Sequence, residues 1–302
     1  MKTRLASDPT HDSSYEKTTE YRGITMRVTA SVPARINIIG EHTDHFEGLS
    51  LTFSSQHSLE LTAIQREGES RGNETVTSLW EAAGGWSADL DVDSSIPIGA
   101  GLSSSAALCV AIVMCSQRNI DPMEISLEAQ RIENEVLRSN CGLMDQISIT
   151  HSKEGLATLL DFSRMSIESF RIPEDWRFKL VDTGIRRNLS ETNYSSSEIK
   201  MEMKRIHAKE ESARVRKALT SDVRALGSIL NESHTSISDN IRASTPEIDN
   251  MVKEIQSTAG VLGARLMGGG FGGMILALVE EEDALPGELL VSSGPAFLQE
   301  TL

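Results

Sequence analysis

The chain has 302 residues, of which 39% are apolar, so it is long enough for one large domain or two ordinary domains with buried cores. Its 44 acidic residues against 29 basic ones give a formal charge of −15, which argues against a nucleic-acid backbone or an anionic membrane as the main partner. The three cysteines lack CxxC spacing, which disfavours a disulfide framework or a zinc knuckle and favours a reducing compartment.

Neither the N-terminal segment nor the apolar runs suggest a leader or a membrane span. Residues 1–20 are polar and charged, and we expect them to form a flexible tail. No apolar run approaches the ~18 residues of a membrane-spanning helix. These features favour a cytoplasmic location.

The first half of the chain predicts three strands followed by two helices. Apolar and polar residues alternate in MRVTASVPARINIIG, LSLTFSSQHSLELTAIQRE and ADLDVDSSIP, which is typical of strands. The segment SAALCVAIVMCSQ has the length and composition of a buried helix. Asp121 as N-cap, Pro122 at the first helical position and Glu124 in the first turn then predict a helix that ends near Arg138.

The second half mixes strands and helices in the same way. GLATLLDFSRMSIESFRIP and FKLVDTG predict strands, and SEIKMEMKRIHAKEESARVRKAL predicts a helix with a solvated charged face. Ile199, Met203 and Ile206 recur in that helix at helical spacing. Thr245 as N-cap and Pro246 at the first helical position mark another helix, and GARLMGGGFGGMILALVEE predicts a glycine loop that feeds a strand.

The order of these elements predicts the fold class. Strands and helices follow one another without regular βαβ alternation or an internal repeat, which indicates an α+β protein of two domains. We expect an N-terminal domain over residues 21–165 and a C-terminal domain over residues 166–302. The final LLVSSGPAFLQETL is interpreted as a brief tail.

The stretch PIGAGLSSSAA at residues 97–107 is the most informative motif. Gly99 and Gly101 remove side chains where a backbone would approach a ligand, and the following helix directs free N–H groups and its positive dipole end outward. The serines at 103–105 add hydroxyls that suit phosphate oxygens or Mg²⁺. The motif predicts a phosphate site, with a simple Gly/Ser turn as the alternative. The Walker pattern is absent, and so is GxGxxG before a helix, so neither a P-loop NTPase nor a Rossmann site is supported.

A second polar motif, RINIIGEHTDHFEG, follows the first predicted strand. Glu41, His42, Asp44 and His45 resemble metal ligands when they are considered alone. Consecutive residues of a turn cannot all converge on one ion, whereas they can form one wall of a pocket that meets several hydroxyl groups. A sugar wall is therefore the preferred interpretation.

Together these motifs resemble the GHMP small-molecule kinases, and among them the galactokinases. RINIIGEHTDHFEG is similar to the galactokinase signature, PIGAGLSSSAA to the second GHMP motif, ENEVLRSNCGLMDQ to the catalytic-aspartate segment and GARLMGGGFGG to the third motif. The similar segments appear in the family order and cover about residues 30–52, 92–150 and 228–280. The resemblance implies a two-domain GHMP kinase fold with the active site in the cleft between the domains.

The resemblance also implies roles for individual residues. Asp145 would be the catalytic base and Arg35 the cation beside it, an arrangement that favours the ionised acid and neutralises charge on the transferred phosphoryl group. Glu133 and Ser105 would hold Mg²⁺. The sugar-binding residues would be Glu41, His42, Thr43, Asp44, Gly142 and Tyr194, and the nucleotide-binding residues would be Gly99, Ala100, Gly101, Leu102, Ser103, Ser104 and Ser105.

Each of these residues also has an ordinary structural interpretation. Asp145 alone would suit a helix or turn cap, Glu133 a solvated helix face, and Tyr194 a half-buried aromatic ring. The isolated His11, His151 and His207 belong to no constellation and are expected at the surface.

The chain departs from the galactokinase pattern in places that bear on the substrate. His45 follows the Glu-His-Thr-Asp tetrad where tyrosine is usual, and Met267 stands where threonine is common. The segment between residues 53 and 92 is shorter than in the family and keeps only VTSLWEAAGG of a helical insertion.

These motifs lead to one hypothesis and two rivals. The hypothesis is a kinase that transfers phosphate from ATP to the anomeric hydroxyl of D-galactose, with Mg²⁺ as cofactor, small molecules as its partners, and no nucleic acid or membrane. One rival is a kinase for an N-acetylgalactosamine, a uronic acid or an arabinose. The other is a non-catalytic sugar and ATP sensor on the same fold, which would have no need for the base.

Overall fold

The fold combines nine strands and seven α-helices within the residues that the structure describes. The structure is a computed structural model that describes residues 26–97, 99–186 and 198–301, without the side chains of residues 198–200. The strands are β1 (Arg27–Ile39), β2 (Leu49–Gln65), β3 (Ala88–Ser94), β4 (Leu156–Asp161), β5 (Ser166–Arg171), β6 (Arg177–Asp182), β7 (Val261–Leu266), β8 (Met274–Val279) and β9 (Phe297–Thr301). The helices are α1 (Glu74–Ala82), α2 (Ser104–Gln117), α3 (Pro122–Leu137), α4 (Met144–Thr150), α5 (Glu198–Ala218), α6 (Val223–Asp239) and α7 (Pro246–Gln256).

The strands form two sheets with antiparallel pairing between all the named strands. The larger sheet has the order β5-β4-β2-β1-β9, with β3 paired to β2, and the smaller has the order β6-β8-β7. Helices pack against both sheets without parallel crossover units. The predicted α+β class is confirmed.

Helix α2 anchors the predicted phosphate motif to the core. Nine of its residues are buried, and it packs against β1, β2 and α3. A helix that is apolar on all sides is stable only when it is surrounded by protein. Burial of α2 therefore fixes the position of its N-terminus and of the glycine turn before it.

Helices α3 and α7 begin at the N-terminal signals that the sequence predicts. Asp121 caps α3 through a capping box with Glu124, and the Thr245 side chain caps α7. Two helices are absent from the sequence predictions: the short α4, which carries Asp145, and α6, which packs on β7.

Two expectations were wrong. His207 is fully buried rather than at the surface, because the inner face of α5 is partly polar and also includes Glu211 and Ser212. Periodicity of apolar residues alone could not reveal that face, and Ile206 is exposed. The C-terminal segment is more than a tail, since β9 pairs with β1.

The proposed domain boundary and the flexible N-terminal tail remain predictions. The boundary between residues 165 and 166 falls in the turn between β4 and β5, which are paired strands of the larger sheet. Residues 1–20 lie outside the described residues. Within the described ranges, no helix is both long and apolar enough to cross a membrane.

Candidate active site

The glycine turn before α2 at residues 99–103, the phosphate loop, begins at an exposed Gly99 and ends at a buried Ser103. Gly99 and Gly101 have φ angles of 68° and 74°, a region that glycine adopts without strain, and Ser103 at the N-cap has a φ of 61°. The Ser103 hydroxyl is buried and has no hydrogen-bond partner among the described residues. A buried hydroxyl without a partner beside a helix N-terminus suits an anionic oxygen of a ligand.

Residues 267–273, the glycine loop, pack against the backbone of the phosphate loop. A Cβ atom on Gly268 would lie 2.9 Å from the Gly101 Cα atom, and one on Gly273 would lie 2.7 Å from the Ala100 carbonyl oxygen. The Met274 amide donates to that same oxygen at 3.0 Å. The glycine run thus allows the two backbones to lie in contact.

Arg35 and Asp145 form an ion pair beside the phosphate loop. Arg35 on β1 is buried, and its Nε and Nη2 atoms donate to Asp145 Oδ1 at 2.8 and 2.6 Å. Its Nη1 atom donates to the Gly101 carbonyl at 3.2 Å, so one guanidinium joins the candidate base to the phosphate loop. Burial alone would lower the pKa of Arg35, but the carboxylates of Asp145 and Glu41 outweigh burial and raise it.

Asp145 is accessible to a small molecule despite this pairing. It lies in the first turn of α4, and its side chain is 27% exposed, against 4% for Arg35. A carboxylate that is held on one side and open on the other can accept a proton from a bound hydroxyl group.

The sugar loop, residues 40–48, brings Asp44 against the chain segment that carries Asp145. A Cβ atom on Gly142 would lie 1.9 Å from Asp44 Oδ2, so only glycine leaves room for that carboxylate. Burial raises the pKa of Asp44, His45 opposes that shift, and Asp145 adds to it. The predicted grouping of Asp44, Gly142 and Asp145 is therefore present as a spatial cluster.

Glu41 faces the interior of the protein. It is 2% exposed, and its Oε1 atom accepts from the Gly268 amide at 2.6 Å and from Arg265 Nη2 at 3.5 Å. Burial alone would raise the pKa of Glu41, but Arg35 and Arg265 reverse that effect and lower it. This carboxylate ties the sugar loop to the glycine loop, while its predicted contact with a sugar remains a prediction.

Thr43 and His42 complete the tetrad in different environments. The Thr43 hydroxyl is fully buried, donates to the Gly40 carbonyl at 2.9 Å and lies 2.8 Å from Ser50 Oγ, so Thr43 shapes the turn. His42 is half-buried, and its ring lies edge-on to the ring of His207 at a centroid distance of 6.4 Å. Their places in the sugar-binding set remain predictions.

Ser105 and Glu133 come together although 28 residues separate them. The Ser105 hydroxyl on α2 donates to Glu133 Oε1 on α3 at 2.8 Å. Glu133 is 3% exposed, and burial raises its pKa above the ordinary value, while the hydrogen bond from Ser105 opposes the shift. The expectation that these two side chains meet at the phosphate loop agrees with this geometry.

The remaining predicted nucleotide-binding residues differ in burial. Ala100 and Leu102 are buried, so a nucleotide could reach only their backbone groups, whereas Gly99 is exposed and Ser104 half-buried. Tyr194 lies outside the described residues.

Several supporting residues in this region carried no recognised signal in the sequence. Arg265 is fully buried and donates to the carbonyls of Asn37, Ile38 and Leu266, as well as lying near Glu41. Glu211 accepts from the Gly40 amide at 3.2 Å, and His207 Nε2 lies 3.1 Å from the Glu41 carbonyl oxygen. Arg265 stands in the quoted third motif, whereas nothing in the charged α5 segment marked Glu211 or His207.

Comparison with known proteins locates the relatives of this chain. Family models match at residues 14–60 (the galactokinase galactose-binding signature), 73–153 (GHMP kinases N terminal domain) and 215–286 (GHMP kinases C terminal). A galactokinase from Thermotoga maritima is 32% identical over 84% of this chain and 89% of its own length, and one from Pyrococcus furiosus is 29% identical over 91% and 94%. The chain belongs to the galactokinase family of GHMP kinases.

Solved structures agree with that assignment at the level of the fold. A Lactococcus lactis galactokinase complexed with galactose superposes with a TM-score of 0.77 at 22% identity, covering 90% of this chain and 95% of the other. A mevalonate kinase from Methanococcus jannaschii gives a TM-score of 0.67 at 16% identity, covering 90% and 100%. The GHMP kinase fold is thereby confirmed, and the protein is a kinase of the galactokinase family.

Ser105 and Glu133 fit the divalent cation that a kinase of this family implies. The described residues hold no cluster of three or more His, Cys, Asp or Glu side chains that could bind a metal by themselves. Mg²⁺ usually takes one or two protein oxygens together with phosphate oxygens and water, so a hydroxyl next to a carboxylate at the phosphate loop is a suitable donor set.

The departures from the galactokinase pattern have distinct positions. His45 is exposed on the sugar loop, where it is accessible to a ligand. Met267, which stands where threonine is common in the family, is fully buried and packs in the apolar core. The shortened segment keeps the predicted helical remnant as α1.

Proposed function

We propose that the protein transfers the γ-phosphoryl group of ATP to the anomeric hydroxyl of D-galactose and releases ADP and α-D-galactose 1-phosphate. The observation that carries the proposal is the Arg35–Asp145 pair, which lies between Asp44 on the sugar loop and Gly101 on the phosphate loop. The galactose-binding signature at residues 14–60 and the galactokinase relatives support galactose as the acceptor.

The proposed reaction is a direct in-line transfer. Asp145 accepts the proton of the anomeric hydroxyl as that oxygen attacks the γ-phosphorus, and the bond from phosphorus to the β,γ-bridging oxygen breaks to release ADP. Arg35 contacts Asp145 and the Gly101 carbonyl, so its charge lies beside both the base and the transferred group. A bound Mg²⁺ would neutralise charge on the phosphate oxygens, with Ser105 and Glu133 as its protein ligands.

The two loops bind the two substrates in this proposal. The N-terminus of α2 and the Ser103 hydroxyl, which has no hydrogen-bond partner among the described residues, receive the phosphates of ATP. Asp44, in contact with Gly142, receives hydroxyl groups of the sugar, and Tyr194 joins it by family resemblance alone. Three free cysteines accord with a cytoplasmic location, which is part of the proposal.

A related sugar is the second candidate because His45 is exposed on the sugar loop. An imidazole in place of a phenol changes the polarity and size of that wall, which could favour an acceptor with a carboxylate or an acetamido group.

A panel of sugars tests both candidates. Purified protein is incubated with ATP, MgCl₂ and D-galactose, N-acetylgalactosamine, galacturonic acid or L-arabinose, and ADP release is measured. We expect the highest kcat/KM with D-galactose. A clear preference for another sugar would replace the acceptor, and binding of ATP and sugar without ADP release would replace the kinase with a sensor.

A further inference from the structure

The side chain of Gln146 bridges the helix that carries the candidate base and the helix that carries the candidate metal ligand. It is fully buried on α4, and its Nε2 atom donates to Glu133 Oε2 on α3 at 2.7 Å. The same nitrogen lies 3.5 Å from Cys141 Sγ. Gln146 took no part in the roles assigned above.

The orientation of this amide follows from the charge that it faces. Its NH₂ group can donate to the Glu133 carboxylate, whereas the opposite orientation would place an amide oxygen against a carboxylate oxygen. In the present orientation the amide Oε1 atom is buried and has no hydrogen-bond partner among the described residues. A buried acceptor without a partner is unfavourable, so the bond to Glu133 fixes this side chain at the expense of its own oxygen.

Because of the hydrogen bond from Gln146, the two oxygens of Glu133 have different partners. Gln146 occupies Oε2, while Oε1 is directed to the Ser105 hydroxyl at the start of α2. A carboxylate with one oxygen fixed from behind can rotate little, so the other oxygen stays on the side of the phosphate loop. Gln146 directly follows Asp145, so the base and this anchor lie on the same helical turn.

We propose that Gln146 is a positioning residue that orients Glu133 Oε1 towards Ser105 for a nucleotide-bound divalent cation. This inference rests on the proposed function insofar as the cation arrives with ATP. It assigns Gln146 no contact with sugar, nucleotide or metal.

Gln146→Met tests the proposal, with Gln117→Met as the matched control. Methionine is close to glutamine in volume but cannot donate a hydrogen bond. Gln117 lies at the end of α2, where its amide contacts the Ala83 carbonyl and Glu128. Mn²⁺ affinity is measured by electron paramagnetic resonance in the presence of a non-hydrolysable ATP analogue. We expect Gln146→Met to weaken Mn²⁺ binding about 10-fold or more and Gln117→Met to leave it within 2-fold.

A second background separates positioning from general damage. In Glu133→Gln protein, Gln146→Met should weaken Mn²⁺ binding by less than 2-fold further, because the carboxylate that it orients is already absent. An equal loss in both backgrounds, or unchanged Mn²⁺ affinity in Gln146→Met, would overturn the proposal. If Gln146→Met does not fold, Gln146→Asn replaces it, since the shorter amide cannot span the same distance and the same loss is expected.

The readout also distinguishes this inference from the proposed function. Mn²⁺ binding to the enzyme with a nucleotide analogue requires neither sugar nor turnover. Wild-type protein that binds Mn²⁺ with the analogue but phosphorylates no sugar would refute the proposed function alone, whereas a normal Mn²⁺ affinity in Gln146→Met would refute only the role of Gln146.

Discussion

The two faces of the sugar loop differ although their residues alternate within a few positions. On the inner face, Glu41 and Thr43 are buried, and their side chains form hydrogen bonds with protein groups such as the Gly268 amide and the Ser50 hydroxyl. On the outer face, Asp44 is half-buried beside Gly142 and near Asp145, which is partly exposed.

Because of this difference, one motif contains both residues that stabilise the loop and residues that can contact a ligand. Cations compensate the inner carboxylate, since Arg35 and Arg265 lower the pKa of Glu41 against the effect of burial. The outer carboxylate of Asp44 has its pKa raised by burial and by the nearby Asp145. A shared motif therefore combines residues that hold the loop with residues that face a ligand. Substitutions on the inner face should chiefly affect folding, and those on the outer face should chiefly affect activity.

The largest effect on activity is expected at the outer face from Asp145→Asn. Asparagine keeps an oxygen for Arg35 but cannot accept the proton of the sugar hydroxyl, so kcat should fall about 10³-fold, or ~4 kcal/mol. Because buried Arg35 also loses the countercharge 2.6 Å away, the melting temperature should fall as well, and kcat is measured at a temperature at which the variant is folded. Steady-state kinetics and thermal melting measure the two quantities. Asp175→Asn, at an exposed position in a turn before β6, serves as the control. Wild-type turnover in Asp145→Asn would eliminate the proposed base.

The corresponding test of the inner face is Glu41→Gln. The neutral amide leaves buried Arg265 without the countercharge that lies 3.5 Å away, which should cost about 3 kcal/mol of unfolding free energy in urea. Glu47→Gln is the control, because Glu47 is exposed on the same loop. If Glu41→Gln lost activity with unchanged stability, Glu41 would belong to the outer, ligand-facing group.

A smaller loss at the outer face is expected from Gly142→Ala. The added methyl group would overlap the Asp44 carboxylate and displace it, so the KM for the sugar should rise about 10-fold while the KM for ATP stays near its wild-type value. Gly294→Ala is the matched control, since a Cβ atom there meets no atom within 4 Å. Equal changes in both KM values would show that the substitution disturbs more than the sugar wall.

The smallest effect is expected on the pH dependence of stability. It arises from His207, which lies next to Glu41 of the inner face. Burial lowers the pKa of His207, although Glu211 opposes that shift. The unfolded chain then binds a proton at higher pH than the folded protein does, so stability should fall as the pH drops below about 6.5, the ordinary histidine value.

Thermal melting between pH 7.5 and 5 measures this dependence in wild-type protein and in His207→Gln. The substitution should flatten the curve in part, because burial also lowers the pKa values of His151 and His234. A curve in His207→Gln that matches the wild-type slope would remove His207 from this account.

Much of the site could be predicted from sequence because its chemistry lies in contiguous motifs. Gly99 and Gly101 were assigned from their conformational freedom and the helix that follows. The pairs Arg35–Asp145 and Ser105–Glu133 came from family resemblance, and both pairs are hydrogen-bonded in the fold.

The support behind the site could not be predicted because its partners are far apart in the chain. His207 and Glu41 are separated by 166 residues, and Arg265 and Glu41 by 224. In α5 the buried polar face contains few apolar residues, so a pattern that seeks hydrophobic periodicity predicted a solvated face there. Polar burial becomes visible only when the elements that supply the partners are placed.

The most direct test of the proposed reaction is ³¹P nuclear magnetic resonance of the protein with ATP, MgCl₂ and D-galactose. The account predicts that the γ-phosphate signal of ATP is replaced by equal amounts of ADP and an anomeric α-galactose 1-phosphate signal. ADP formed without a sugar phosphate, or a phosphate ester at another hydroxyl group, would contradict it.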